Sequence, residues 1–203
     1  KCLPPREKGY AALHTEEKDT SKRILEAALN LISQNGYAQV SMRDIAQEAG
    51  VAISQISYHY KNKEGLFIAL IRQLKESFVG DIREKMEGIS SSDGFIDFIC
   101  EYSKESIVKD SDIHRLRLEF SNLAMSSEPF RAEFSVLVGE LTEVVASYVA
   151  RYASNLEIMK THTPVQTANF IIAFVLGVST QYLAEGKNAR ALETIDILRA
   201  TVR

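Results

Sequence analysis

The segment Ser41–Tyr60, SMRDIAQEAGVAISQISYHY, decides the fold of this chain. Two short helices that meet at a sharp angle need a small residue at their contact, a Gly in the turn and an apolar residue on the second helix. Ala46, Gly50 and Ile56 stand at that spacing. The spacing alone fits a helix-turn-helix and an ordinary helical hairpin equally well, so the neighbouring residues must decide between them.

Capping signals delimit the helices around this segment. Ser41 stands three residues before Asp44, a variant of the capping box in which Asp replaces Glu. Asn62 can cap a fourth, much longer helix. Upstream, the spacing of apolar residues predicts a first helix with Thr20 or Ser21 as its N-cap. The segment is therefore expected to lie among consecutive helices, and the whole chain is predicted to be all-α because strand-like alternation is nearly absent.

The second helix of the pair and the turn after it carry polar groups that suit nucleic acid. The run from Ile53 to Lys63 contains hydroxyls, an amide, an imidazole and ammonium groups, which can donate hydrogen bonds to phosphates or base edges. The net charge of the chain is -3, but residues 1–63 carry about +2 and the remainder about -5. This distribution favours a phosphate-contacting unit joined to a different module.

Five collinear runs of residues extend the pattern beyond the helix pair. They are Ile24-Leu25-Glu26-Ala27-Ala28, Gly36-Tyr37, Arg43-Asp44-Ile45-Ala46, Ala49-Gly50-Val51 and the run from Tyr58 to Phe67, YHYKNKEGLF. Together they resemble the N-terminal signature of the TetR family of transcriptional regulators. The resemblance covers about residues 20 to 70; over the rest only length and helicity are similar.

The resemblance implies three parts of the chain. Residues 1–19 would form a charged N-terminal arm, residues 20–67 a three-helix DNA-binding domain with the helix-turn-helix, and residues 68–203 a helical bundle for ligand binding and dimerisation. The protein is then expected to bind double-stranded operator DNA in the cytoplasm.

The resemblance also implies which residues contact DNA. Ile53 to Tyr58 would form the recognition helix, with Tyr58 and His59 over the phosphate backbone. Lys63 would touch a phosphate from the start of the next helix, where free N–H groups also attract anions. The full predicted set is Arg43, Ile53, Ser54, Gln55, Ser57, Tyr58, His59 and Lys63.

Two positions depart from the family pattern. Ala52 stands where a hydroxyl N-cap is common, and Ser57 stands where a Tyr is common. The recognition helix is therefore expected to begin a residue or two later, with Ser54 as its cap. Gln55 becomes the best candidate to read a base, because an amide can pair with both N6 and N7 of adenine. Tyr60 is expected to pack against the core.

The C-terminal module in this family usually holds a small-molecule pocket, so the resemblance implies a small, largely apolar effector of unknown identity. The expected lining is Phe98, Tyr102, Leu116, Phe120, Phe134, Phe170, Phe174 and Tyr182, with Glu119 and Arg115 as possible polar anchors of a ligand. Aromatic residues at helical spacing more often serve packing, so any one of these residues could simply belong to the core.

The stretch from Val165 to Leu183 is apolar on more than one face, which indicates a helix with two packing partners. One partner would be the core of its own subunit and the other the same helix of a second copy, giving a homodimer. The predicted interface consists of Phe170, Phe174, Val178, Tyr182, Ile195 and Leu198.

Other classes of protein find little support in the sequence. The longest apolar run, Phe170 to Val178, is short for a membrane span, and the first 19 residues lack the apolar segment of a signal peptide. Cys2 and Cys100 suggest no disulfide framework. His114 and Glu119 are five residues apart, unlike a helical metal-ligand pair, and a solvated helix start is the favoured interpretation there. The chain is not expected to be an enzyme or to bind a metal or a cofactor.

The sequence therefore predicts a sequence-specific transcriptional regulator, a repressor that releases a palindromic operator when a small apolar molecule binds its C-terminal domain. Two alternatives stay open: a helical adaptor that binds only protein, and a helical enzyme.

Overall fold

A computed structural model describes the backbone of residues 5–154 and 156–201, with side chains from Asp19 onward. These ranges contain helices and no strand, which confirms the predicted all-α class. The chain divides into two compact units, and the boundary between them along the sequence lies between Gln73 and Leu74. The boundary expected from the sequence lay after Phe67. The long helix Lys63–Met86 contributes residues to both units.

The first unit contains three helices and the start of a fourth. They are α1 (Pro5–Asn35), α2 (Met42–Ala49), α3 (Ile53–Tyr60) and α4 (Lys63–Met86). Residues that the spacing assigned to the helix contact are buried: Ala46 and Ile56 lie in the core, with Ile24, Leu66 and Phe67. The periodic apolar residues thus close a small core around the α2–α3 pair.

The first helix begins earlier than the sequence predicted. α1 includes Pro5, so Thr20 and Ser21 lie inside the helix and do not cap it. The hydroxyl of Ser21 instead shares a hydrogen bond with the Tyr60 hydroxyl, 2.7 Å away. A capping residue starts a helix only where the preceding residues resist helix formation, and here the preceding residues are rich in Glu, Lys and Ala, which favour it. The side chains of residues 1–18, most of the predicted arm, lie outside the described residues.

The ends of α2 follow the predicted signals. Asp44 Oδ2 accepts from the Ser41 N–H at 2.8 Å, and Ser41 Oγ accepts from the Asp44 N–H at 3.2 Å, so the capping box is confirmed. Hydrogen bonding to the carboxyl by the Ser41 side chain, and then by the Ser41 N–H, lowers the pKa of Asp44. At the other end Gly50 adopts φ 62° and ψ 40°, a left-handed conformation that costs glycine little. The turn of the helix pair is therefore set by local residues.

The second unit is a bundle around one apolar core. Its further elements are α5 (Ser92–Lys109), α6 (Ser111–Ser126), α7 (Glu128–Tyr152), a 3₁₀ turn (Glu157–Lys160), α8 (Pro164–Ala184), α9 (Arg190–Glu193), a 3₁₀ turn (Thr194–Asp196) and α10 (Ile197–Thr201). α8 contacts α6, α7 and α9, which places it at the centre of the bundle.

Helix α8 is the most apolar element of the bundle. Its 21 residues include a window of mean hydropathy 1.4, so by length and composition it could cross a membrane. The core helix of a bundle meets the same criterion. Only 33% of that window is buried within the chain, so much of the helix is left for another partner.

Candidate nucleic-acid interface and internal cavity

Helix α3 carries most of the residues predicted to contact DNA. Ile56 is fully buried and anchors the helix, whereas Tyr58 is 77% exposed. Six of the eight predicted residues are exposed, namely Arg43, Ile53, Ser54, Gln55, Ser57 and Tyr58, while His59 and Lys63 are half-buried. The first unit therefore presents a polar helix surface whose opposite side is held in the core.

The start of α3 differs from the sequence prediction. The helix begins at Ile53 with Ala52 at the N-cap, so Ser54 lies within the first turn and does not cap it. Ala52 has no polar side chain, but Gln55 Oε1 accepts a hydrogen bond from the Ala52 N–H at 3.0 Å. The glutamine three residues on thus supplies the reciprocal half of a capping box, which is why the helix does not start later.

This hydrogen bond restricts what Gln55 can do on DNA. Pairing with both N6 and N7 of adenine needs the amide oxygen and the amide N–H₂ together. In the structure the oxygen is held by Ala52, while Nε2 is left to donate. Base reading through both groups would therefore use the second lone pair of Oε1 or require Gln55 to leave the cap.

The end of α3 is a tight turn with a strained residue. Lys61 has φ 65° and ψ -58°, and the Asn62 N–H donates to the Tyr60 carbonyl at 2.8 Å, which closes a γ-turn. A Cβ on Gly65 would lie 2.3 Å from that same carbonyl oxygen. Gly65 is therefore the residue that allows α4 to start so close to the end of α3.

Polar contacts hold both sides of this turn. Asn62 Oδ1 accepts from the Gly65 N–H at 2.8 Å, as expected for the cap of α4. Tyr60 is half-buried, and its hydroxyl bonds Ser21, which agrees with the structural role predicted for it. Burial raises the pKa of the Tyr60 hydroxyl.

Lys63 stands in the first turn of α4, directly after Asn62. Its Nζ lies 4.2 Å from the centre of the Tyr37 ring, and that ring stacks on Phe67 with a centroid distance of 4.9 Å. The stacked rings place an ammonium group at the N-terminal end of α4, where the helix dipole adds partial positive charge. This combination suits a phosphate oxygen.

The second unit contains a cavity in which the centre of a water molecule can occupy about 110 Å³. Its wall is mostly apolar and includes polar groups at a few places. The lining residues are Phe78, Ile82, Met86, Phe95, Phe98, Ile99, Tyr102, Ser103, Ser106, His114, Arg117, Ser121, Phe134, Leu137, Val138, Leu141, Val145, Tyr148, Ile171, Ile172, Val175 and Leu176.

The polar part of the wall centres on His114 and Arg117 of α6. Arg117 Nη2 lies 2.5 Å from His114 Nδ1, and His114 Nε2 lies 3.3 Å from Ser106 Oγ. Because a guanidinium can only donate, Nδ1 must accept and Nε2 must carry the ring proton. Burial, and then the adjacent guanidinium, lower the pKa of His114 to about 3, so the imidazole is neutral.

Only some of the residues predicted to line a pocket border this cavity. Phe98, Tyr102 and Phe134 do line the cavity, but the other predicted residues, Leu116, Glu119, Phe120, Phe170, Phe174 and Tyr182, do not. Leu116 and Phe120 are buried in packing, and Phe170 is 40% exposed. Arg115 is exposed and also lies outside the lining. Whether any of these residues binds an effector stays a prediction.

His114 and Arg117 were not among the residues predicted to line a pocket, and the predicted solvated helix start is wrong because His114 is buried. The spacing of His114, Arg117 and Ser121 could have indicated that these side chains lie together. Positions 114, 117 and 121 are three and four residues apart, so they share one helix face, whereas Arg115 and Glu119 point elsewhere on α6.

The predicted dimer interface also needs correction. Val178, Tyr182, Ile195 and Leu198 are buried in the chain's own core and offer no surface to a second copy. Phe170 is exposed and stacks on Phe174, which is half-buried against that core. The exposed face of α8 instead carries Val165, Phe170, Ala173 and Gly177.

A hydrogen bond joins the cavity wall to α4. The Tyr102 hydroxyl donates to Asp81 Oδ2 at 2.8 Å, and burial together with this carboxylate raises the pKa of Tyr102. Lys85 pairs with the same Asp81 at 3.2 Å and lies over the Tyr102 ring. A change in the position of Tyr102 would therefore act directly on α4.

Within the described ranges, no group of three or more His, Cys, Asp or Glu residues is placed to hold a metal ion.

Comparison with known proteins begins with the helix-turn-helix region. The family model for bacterial regulatory proteins of the tetR family matches residues 24–70. The HTH-type transcriptional regulator UidR of Escherichia coli (strain K12) is 25% identical over 173 residues, which cover 85% of this chain and 86% of UidR. The HTH-type transcriptional repressor AcnR of Corynebacterium glutamicum is 26% identical over 190 residues, covering 92% and 95%. The similarity thus extends well past the region that the motifs covered.

A solved structure shows the same fold. The transcriptional regulator FadR from Bacillus subtilis, crystallised in complex with stearoyl-CoA, superimposes with a TM-score of 0.73 at 16% identity and covers 89% of this chain and 96% of FadR.

Proposed function

Because this chain belongs to the TetR family and is therefore a DNA-binding transcriptional regulator, we propose that it is a repressor that releases a palindromic operator when a small molecule fills the cavity of its second unit. The observation that carries the proposal is the position of α4. This single helix starts at Lys63, which would contact DNA, and supplies Phe78, Ile82 and Met86 to the cavity wall.

On DNA, α3 would lie in the major groove with its exposed face toward the base edges. Gln55 would read a base through its Nε2 group, or through both amide groups after leaving the Ala52 cap. Tyr58, His59 and Lys63 would contact phosphates and set the position of the helix without reading sequence. Arg43, exposed on α2, would add a further contact.

A palindromic operator requires two copies of the recognition helix. Half-sites in successive major grooves are about 34–36 Å apart, so two chains related by a two-fold axis would present their α3 helices at matching positions. The exposed, small-residue face of α8 around Ala173 and Gly177 would form the centre of that homodimer. Close approach of the two α8 helices is feasible there because nothing lies within 4 Å of a Cβ added at Gly177.

Release of the operator would follow if the ligand binds the DNA-free form of the protein more tightly than the DNA-bound form. A molecule in the cavity would press on Phe78 and Ile82 and on Tyr102, which holds Asp81 of the same helix. A small rotation of α4 in each chain would change the spacing of the two recognition helices and misalign both half-sites. FadR of Bacillus subtilis, which shares the fold, binds stearoyl-CoA, and this supports a small-molecule effector here.

Two measurements test the proposal. DNA fragments selected from a random pool should bind in a gel shift, more weakly as salt rises; an adaptor that binds only protein would select none. A compound that stabilises the protein in a thermal-shift screen is then titrated into free protein and into protein saturated with operator. The two affinities should differ, typically by about 5- to 150-fold, because coupling is reciprocal. Equal affinities would exclude ligand-driven release.

A further inference from the structure

The side chain of Arg117 lies in the wall of an apolar cavity without a carboxylate partner. No ion pair involves it among residues 19–154 and 156–201, and burial alone accounts for the fall of its pKa to about 10, so it is charged at neutral pH. A buried charge without a counter-charge is costly unless another group compensates it. The fold therefore keeps a positive charge at a place where apolar side chains surround it.

The groups that do contact Arg117 are neutral. Nη2 donates to His114 Nδ1 and, at 3.4 Å, to Ser179 Oγ. His114 cannot supply a negative charge, and its own Nε2 proton is directed to Ser106. The two contacts orient the guanidinium without neutralising it.

Two nitrogen atoms of the guanidinium remain unbonded. Nε is buried and has no hydrogen-bond partner among the described residues. Nη1 has none either, but it is not enclosed by protein, since Arg117 keeps part of its surface accessible and lines the cavity. Ser103, one turn before Ser106 on α5, also lines the cavity, and the described part of the chain provides no hydrogen bond to its hydroxyl. The cavity thus offers donors and one positive charge.

We propose that the effector is an apolar organic anion, with a carboxylate that binds the free Nη1 edge of Arg117 and a hydrocarbon body that fills the rest of the cavity. This inference rests on the proposed function, since it names the ligand of the same cavity. A single carboxylate matches the single guanidinium and forms a charge-assisted hydrogen bond. A cation would be repelled, a neutral molecule would leave the charge uncompensated, and a polyanion would bury further unpaired charge.

The test uses three probes with the same ten-carbon chain and different head groups: sodium decanoate, decan-1-ol and decylamine. Isothermal calorimetry on the full chain at pH 7.5 measures each affinity. We expect decanoate to bind about tenfold or more tightly than decan-1-ol, as for a hydrogen bond to a charged group, and decylamine to bind most weakly.

Variants assign the preference to one side chain. R117M, with R117Q as a second charge-free variant, should bind decanoate and decan-1-ol with equal affinity, while R117K should keep a preference for the anion. R131M is the matched control, because it removes an exposed arginine from α7 outside the cavity. R117M should also raise the melting temperature of the free protein, since an uncompensated buried charge is lost. An arginine with a purely structural role would give the opposite shift.

Equal affinity of wild-type protein for decanoate and decan-1-ol, or no measurable binding of decanoate, would overturn the inference. So would an unchanged anion preference in R117M and R117Q. Selective binding of decanoate that leaves a selected operator bound would support the anion site and contradict ligand-driven release. Release of the operator by other compounds, without a preference for decanoate, would overturn the anion site and leave the proposed function standing.

Discussion

His114 Nδ1 accepts a hydrogen bond from Arg117 Nη2 at 2.5 Å, so a neutral imidazole and a charged guanidinium share the wall of the cavity. Protonation of His114 would remove the acceptor and place two cations in contact. This is why the second unit depends on an uncharged histidine, and it leads to a test based on pH.

The stability of the second unit should fall as the pH is lowered from 7 to 5. His114 has a pKa of about 3 when folded and about 6.5 when unfolded, so between these values the unfolded chain binds more protons. The stabilisation is complete above pH 6.5 and is lost as the pH falls toward 3. At pH 5 the loss is about 2 kcal/mol. Urea unfolding at each pH measures it.

The control is His114→Asn, whose side-chain oxygen can accept from Arg117 in place of Nδ1. This variant should lose most of the slope between pH 7 and 5. Carboxyl groups whose pKa values are lowered, such as Asp44 and Asp196, affect stability only at lower pH. An equal slope in both proteins would contradict the buried neutral histidine.

Two glycines of α4 should respond to alanine with opposite signs. Gly65→Ala places a Cβ 2.3 Å from the Tyr60 carbonyl oxygen and should destabilise the first unit by about 1–3 kcal/mol. Gly80→Ala meets open space on an exposed helix position and should stabilise by about 1 kcal/mol. Thermal unfolding measures both, and destabilisation by both substitutions would disprove the close approach at Tyr60.

A double variant separates the two roles of Gln55. Gln55→Ala removes the cap on the Ala52 N–H and should lower both stability, by about 0.5–2 kcal/mol, and base discrimination. Adding Ala52→Ser restores a side-chain cap for α3, so the double variant Ala52→Ser/Gln55→Ala should recover stability. Its base discrimination should stay low, so that an operator with one altered base pair binds almost as tightly as the original operator. Full recovery of discrimination by the double variant would show that Gln55 acts only as a cap.

Lys63→Ala and Tyr58→Phe should weaken binding to all DNA sequences about equally, because phosphate contacts carry no sequence information. For Lys63→Ala the slope of log affinity against log salt should also decrease, by about 0.9 for each phosphate that the protein no longer neutralises. Lys160→Ala, an exposed change of the same charge in the second unit, should leave both unchanged. An altered operator preference in either variant would argue against phosphate contacts.

The protein should sediment as a dimer at micromolar concentration, and Phe170→Asp should yield folded monomers. Phe170 is 40% exposed on α8, so a charge there disrupts an interface more than the core. Phe174→Asp is a poorer test because Phe174 packs against the core and its loss would also unfold the chain. Met125→Asp, at a position 72% exposed on α6, serves as the control. A monomeric wild-type protein that still binds a palindrome tightly would refute the dimer.

Local signals in the sequence determined the helix-turn-helix. The capping box at Ser41 and Asp44, the left-handed Gly50 and the Asn62 cap each depend on residues within four positions of one another. Such interactions do not need the rest of the fold, so residue types and spacing sufficed to predict them. The start of α3 shows the limit of this rule, because the sequence pointed to Ser54 as a cap and the structure uses the equally local Gln55.

Only the tertiary structure decided which residues surround the cavity and which remain exposed. Helical spacing places Arg117 on a different face of α6 from Arg115 and Glu119, but it does not say which face meets the other helices. In the same way Val178 and Tyr182 are apolar at helical spacing, and packing in the bundle buried them within one chain. Burial depends on contacts between helices far apart in the sequence, whereas capping depends on neighbouring residues. For this reason residue types and spacing were enough to predict which helix pair carries the candidate DNA contacts, but not which residues line the cavity.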